Sequence, residues 1–260
     1  MYLLLLMGFF MGIFLATFEV AAFTLFITNF DEAKDLPIAI VASGLVGIVL
    51  TFIYNKLQIR ISFTALGTLV LVLMTVLVVG IRFGLGIVEN PGDLYYVAFV
   101  LATPFSYLAL LIFWGVFGRL FNLRQSKRII GSIDTGTLVA SIVALFSIPF
   151  LLDVMELTNL LLISLISVAG YFLIFILIAF KFSLKSENEE DRSIKRDIEY
   201  KDLVKNKYLG LMSVFVIVSM VAITFIDYSF ANVSIARFPG ERELGTFISY
   251  FEATVVIFSF

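Results

Sequence analysis

From Thr158 to Phe180 the chain reads TNLLLISLISVAGYFLIFILIAF, without one Asp, Glu, Lys or Arg. An α-helix needs about 20 mostly apolar residues to cross the hydrocarbon core of a bilayer. This stretch meets that requirement unaided. Working outward from it, runs of the same kind occupy 2–27, 36–54, 62–81, 94–117, 129–152 and 208–236. A further one opens near Leu244 and is still running at Phe260. The reading is an all-α, polytopic transmembrane helix bundle, expected to be truncated after about 7.5 spans.

Composition agrees with this reading. Hydrophobic residues make up 61% of the 260 positions and charged residues 15%, against about 45–50% and about 25% in soluble domains. The mean hydropathy is +1.07. There is no Cys and no His, which excludes disulfides, thiolate chemistry, Cys/His metal sites and serine–histidine catalysis within these residues. The N-terminus enters its apolar run directly, with no basic n-region and no small-residue cleavage site. The first helix is therefore expected to be retained.

The basic residues orient the spans. The second-to-third connection carries Lys56 and Arg60, and the fourth-to-fifth carries Arg119, Arg124, Lys127 and Arg128. The sixth-to-seventh carries Lys181, Lys185, Arg192, Lys195, Arg196, Lys201, Lys205 and Lys207. These connections fall on one side and hold fourteen of the eighteen Lys and Arg residues. The other side has Lys34, Arg82, Arg237 and Arg242. Cytoplasmic loops collect Lys and Arg, so the N-terminus is expected in the cytoplasm, with the bacterial inner membrane as the expected location. An incorrect span count would break the alternation.

Residues 181–207 form the longest polar stretch, with eight basic and seven acidic residues. A charged connection after six helices predicts an N-terminal six-helix bundle (1–180), a cytoplasmic linker (181–207) and the start of a second bundle (208–260), as in carriers built from repeats.

Four acids fall inside the spans: Glu19, Asp134, Asp227 and Glu252. A charge at the centre of a membrane helix costs roughly 2.5–3.5 kcal/mol on insertion scales, so such residues face a bundle interior and mark ion or proton pathways. Each lies on or near a stripe of small or polar residues. Gly8, Gly12 and Ala16 precede Glu19, and Thr137 and Ser141 follow Asp134. Thr224, Ala231 and Ser234 accompany Asp227, while Gly245, Ser249 and Ser259 accompany Glu252. With a rise of about 1.5 Å per residue, Glu19, Asp227 and Glu252 each fall roughly 12–14 Å from the outer end of their spans. Asp134 lies nearer the cytoplasmic end. The first three can therefore share a level, and all four are candidates for ion or proton coupling. In a polytopic bundle, Gly8 and Gly12 are expected to serve internal packing rather than dimerisation.

No GxxxxGK[ST] phosphate loop and no filter-like interruption of a span occurs, so neither ATP hydrolysis nor a channel is indicated. No catalytic residues, metal site or cofactor are assigned, and the protein is not expected to be an enzyme. An intramembrane enzyme using Asp134 and Asp227 is disfavoured by their different depths.

Two stretches resemble known families. A six-helix half followed by a charged linker looks like the major facilitator superfamily. Asn55-Lys56-Leu57-Gln58-Ile59-Arg60 is similar to that family's cytoplasmic signature, with Asn55 for the usual aspartate and Gln58 for the usual glycine. Phe113-Trp114 through Arg119 and Asn122 to Gln125-Ser126-Lys127-Arg128, together with Gly240–Gly245 and Phe251-Glu252, resembles the ATP/ADP translocase (nucleotide transporter) family and related bacterial membrane proteins.

That resemblance implies a secondary transporter working by alternating access, with nucleotide exchange or uptake coupled to a cation or proton. Its partners would be the bilayer, a small-molecule substrate and a coupling ion, without nucleic acid. Arg119, Asn122, Lys127 and Arg128 become candidates for substrate phosphate or a cytoplasmic gate. The acids deeper in the spans would repel phosphate, and positive-inside anchoring accounts for the same cations. The alternative is a non-transporting anchor or sensor for a soluble cyclic-nucleotide-binding or helical-repeat domain beyond residue 260.

Overall fold

A computed structural model describes residues 1–31, 34–88, 90–182, 184 and 207–259, except the side chain of Leu123. Most of the charged linker expected at 181–207 lies outside the described residues. Eight α-helices follow one another: α1 (Tyr2–Asn29), α2 (Asp35–Arg60), α3 (Phe63–Gly84), α4 (Gly92–Leu120), α5 (Leu123–Leu152), α6 (Leu160–Lys181), α7 (Lys207–Arg237) and α8 (Glu241–Ser259). One 3₁₀ turn, Leu157–Asn159, precedes α6. Among the described residues there is no strand. The helices α1 to α7 are long and apolar enough to cross a membrane, so the chain is an all-α bundle of membrane helices. α8 is not among the seven, because Glu241, Arg242 and Glu243 occupy its first turn and Glu252 its middle.

Two boundaries differ from the sequence reading. α2 continues to Arg60, so Asn55–Arg60 is helix rather than loop. α5 begins at Leu123, six residues before the expected 129. The connection between α4 and α5 is thus only Phe121 and Asn122, and Arg124, Lys127 and Arg128 lie on the first turns of α5. Local capping explains both. Ser62 accepts the Ala65 N–H at 3.3 Å to start α3. Asn122 is the N-cap of α5, and its N–H donates to Gln125 Oε1 at 3.3 Å, an arrangement that fixes a helix start.

We call the end bearing the α2–α3 and α4–α5 connections the basic end, after Lys56, Arg60, Arg119, Arg124, Lys127 and Arg128. α1 sits at the centre, packed on α4, α5 and α6 and, toward the other end, on α8. Lipid offers no hydrophobic drive between helices, so close backbone approach has to hold them together. Gly8 and Gly12 supply that approach. A Cβ on Gly12 would stand 2.5 Å from the Thr137 carbonyl oxygen, and one on Gly8 would stand 2.8 Å from Thr137 Oγ1. The stripe is an internal packing face against α5. Elsewhere rings fill glycine notches: Phe175 at Gly67, Phe10 at Gly170 and Phe63 at Gly115. Polar bridges add to the packing. Thr17 Oγ1 and Ser164 Oγ lie 2.8 Å apart between α1 and α6, and Tyr171 OH donates to the Ala109 carbonyl at 2.9 Å between α6 and α4.

The contacts carry an internal symmetry. α1 packs on α5 as α4 packs on α2, and α1 packs on α6 as α4 packs on α3. α1 also pairs with α4, and α3 with α6. Exchanging α1–α2–α3 for α4–α5–α6 maps this set onto itself; the slight α2–α3 contact is the exception. The exchanged helices run in opposite directions, the pattern of contacts that inverted repeats produce.

Candidate functional site

α7 and α8 touch the first six helices at one end only. On α7 the buried residues are Ala231 and Ser234, and none from Lys207 to Asp227 is buried. On α8 they are Leu244, Gly245, Ile248, Ser249 and Ala253, and none beyond. α8 therefore closes against α1 and α5, and α7 against α1, away from the basic end, and both part from the first six helices toward it.

The closed end is held by packing and by charge. Gly245 fits against Leu152, Leu157 and Thr24, with Leu152 Cδ1 only 3.2 Å from where its Cβ would be. Arg242 forms an ion pair with Asp153, and Asn29 Nδ2 donates to Glu241 Oε1 at 3.4 Å. Phe230 of α7 stacks on Phe251 of α8, with centroids 4.3 Å apart, and Phe238, just past the end of α7, stacks on Phe247 at 4.7 Å. Thr24 Oγ1 is buried at this contact with no hydrogen-bond partner among the described residues. Thr17 and Thr28 on the same helix bond their own preceding turn instead.

Where the helices part, the acids gather. Ala16–Phe18 and Val20–Ala22 are buried, yet Glu19 between them is exposed, facing the opening. Glu252 and Asp227 both act electrostatically on Glu19, and Asp227 acts on Glu252. Glu252 is half-buried one residue before the last buried position of α8, and Asp227 is exposed below the contact residues of α7. The three acids of α1, α7 and α8 thus lie within electrostatic reach of one another. Among the described residues none of them forms an ion pair with Lys or Arg, and no acidic group is arranged to hold a metal ion.

Asp134 is apart. It is exposed on α5, while Thr137 and Ser141 of the same stripe turn to α1, where Ser141 Oγ donates to the Gly12 carbonyl. The apparent stripe divides because α1 claims the next two turns of α5.

The basic candidates also divide. Asn122 caps α5, and Lys127 and Arg128 are exposed on its first turns. Arg119 points elsewhere. Its Nη1 donates to the Gly115 carbonyl at 2.9 Å and its guanidinium lies over the Phe63 ring, 3.7 Å from the centroid. It lines a cavity of about 540 Å³ between α2 and α4. The residues missed by sequence reasoning are Asp153 of the closed end, whose partner Arg242 was read only for its side of the membrane, and Tyr54 of this cavity. Opposite charges on short connections at one end were the available signal for the first pair. Comparison with protein-family models, curated proteins and solved structures finds no match.

Proposed function

We propose that this protein is a secondary active transporter working by alternating access, and not an enzyme. One observation carries the reading: three carboxylates from α1, α7 and α8 lie within electrostatic reach of one another where the second group of helices parts from the first. Carriers place coupling sites near the midplane, between repeats that rock against each other. Intramembrane acids without basic partners suit binding and release of a cation or proton. The inverted-repeat contact pattern of α1–α6 supports the same reading, as does the major facilitator resemblance. In this reading the conformer is open toward the basic end, which faces the cytoplasm by its Lys/Arg excess, with the inner membrane as its location. Nucleotide exchange or uptake rests on the resemblance at 113–128 and 240–252 alone.

The test is uptake into proteoliposomes holding the full-length protein, with labelled nucleotides and other solutes screened with and without an imposed proton gradient. The expected result is saturable uptake whose gradient dependence is lost in Glu19→Gln and Asp227→Asn while both variants still insert. Uptake of a non-nucleotide would keep the carrier and discard the nucleotide. Absence of any gradient-dependent flux would transfer the reading to an anchoring or sensing module.

A further inference from the structure

We propose that α4 is jointed at Pro104, so that its closed-end segment (92–103) moves with α1 while its basic-end segment (105–120) stays on α3 and α6. The joint stands on its own, and its use rests on the carrier reading.

α4 runs from Gly92 to Leu120 with Pro104 inside it. Proline has no N–H, and its ring crowds the carbonyl four residues back, here that of Val100. This turn of α4 therefore lacks one of its hydrogen bonds. Two residues on, the Ser106 hydroxyl donates to the Ala102 carbonyl at 3.0 Å, a back-bond that weakens and bends helices. The two weak turns overlap.

The neighbours of α4 change at the same place. On the closed-end side its rings lie against α1. Phe99 stacks on Phe26 with centroids 4.3 Å apart, and Tyr96 meets Phe26 at 5.8 Å and Phe30, just past the end of α1, at 5.9 Å. Against α3 this segment sets the flexible tip of Leu94, in the notch at Gly84. On the basic-end side the holds are firmer and fall on other helices. Tyr171 of α6 donates to the Ala109 carbonyl at 2.9 Å, and Phe63 of α3 fills the notch at Gly115. At the joint itself Phe105 stacks on Phe18 of α1, with centroids 5.9 Å apart. Pro104 thus lies at about the depth of Glu19, the next residue of α1.

α2 leaves the joint room. Gly47 faces Pro104, and a Cβ there would stand 3.8 Å from the ring Cγ, while one on Gly44 would meet nothing within 4 Å. α1 also holds α8 at the closed end, with Thr24 beside Gly245 and Asn29 bonded to Glu241. A joint at Pro104 lets the closed-end parts of α1 and α4 shift together when α8 leaves, without pulling α4 from α3 and α6.

The experiment puts nitroxide pairs on introduced cysteines of the full-length protein in nanodiscs, the chain having no native cysteine. Val97 with Ile166 reads the closed-end segment against α6, and Leu111 with Leu177 reads the basic-end segment; all four positions are exposed. The 97–166 pair should show two distances and the 111–177 pair one. In Pro104→Ala, which restores the missing N–H, the minor 97–166 population should fall about tenfold, the worth of one hydrogen bond. Gly47→Val fills the space beside the ring and should lower it too, and it decides the matter if Pro104→Ala does not insert. A single 97–166 distance in the wild type overturns the proposal. Two distances in both pairs do the same, because α4 then moves as one rod, as do populations unchanged in the deciding variant. Uptake by the same proteins separates the two readings. Two 97–166 distances without uptake keep the joint and remove the carrier, whereas uptake with one distance keeps the carrier and removes the joint.

Discussion

Ser141 of α5 donates its hydroxyl to the Gly12 carbonyl of α1 at 3.1 Å, across a gap that no side chain on residue 12 would fit. The opposing atom is backbone, the Thr137 carbonyl oxygen, and cannot swing aside. Overpacking a well-filled core costs about 1–3 kcal/mol, and Gly12→Val is expected at the upper end of that range. Ser141→Ala should cost only about 0.6 kcal/mol, the average for hydrogen bonds between membrane helices. Unfolding in detergent measures both, and equal effects would mean that the bond, not the close approach, holds α1 to α5.

Thr24 gives a prediction of the opposite sign. Its buried hydroxyl lacks a partner among the described residues, and leaving such a group unsatisfied costs about 1–3 kcal/mol. Thr24→Val keeps the shape and removes the hydroxyl. It should raise thermal stability and hold α8 more firmly on α1, at the expense of any opening there. A melting temperature below wild type would show that the hydroxyl has a partner in the membrane.

The acid cluster is expected to strain the fold. Glu19, Asp227 and Glu252 repel one another without an ion-paired base among the described residues. Glu19→Gln should therefore leave thermal stability unchanged or raise it, as should Asp227→Asn, even where coupled transport is lost. Thermal unfolding of purified variants checks this. Marked destabilisation of either would mark the acid as a packing residue and detach it from coupling.

The Asp153–Arg242 pair should matter little to stability and much to conformation. Both side chains are largely exposed, at 58% and 65%, and exposed pairs contribute about 0.2–1 kcal/mol. Asp153→Arg should loosen the closed end, and Asp153→Arg combined with Arg242→Asp should restore it. Spin-label distances between α5 and α8 at that end read the change, and equal distances in all three proteins would remove the pair from the closure.

Most of the fold was legible because a bilayer leaves so few choices. An uncharged run such as 158–180 can be little else than a spanning helix, and the positions of Lys56, Arg119 and Arg242 fix which ends lie together. Gly8 and Gly12 advertised a packing face for the same reason. What lay beyond reach depended on partners far away in sequence. Nothing local distinguishes Asp134, left exposed by α5, from Asp227, which joins Glu19 and Glu252, because the difference is made by which helix faces which. Arg119 could be read as a membrane-surface anchor until Phe63 and Gly115 turned it into a cavity. The contact symmetry between α1–α3 and α4–α6 is likewise set by which helix faces which.

The central claim is that the closed end opens, and Ser249 tests it. Ser249 is fully buried between α8 and its neighbours at that end, and the chain has no native cysteine to interfere. The measurement is labelling of Ser249→Cys by a membrane-impermeant maleimide added from the side of the α7–α8 connection, with exposed Glu156→Cys as the reference. Alternating access predicts that the Ser249→Cys protein is labelled to completion, more slowly than Glu156→Cys, and faster when Asp153→Asn is added. A Ser249→Cys protein that stays unlabelled in both backgrounds, while Glu156→Cys is saturated, would contradict the account and leave a static membrane module.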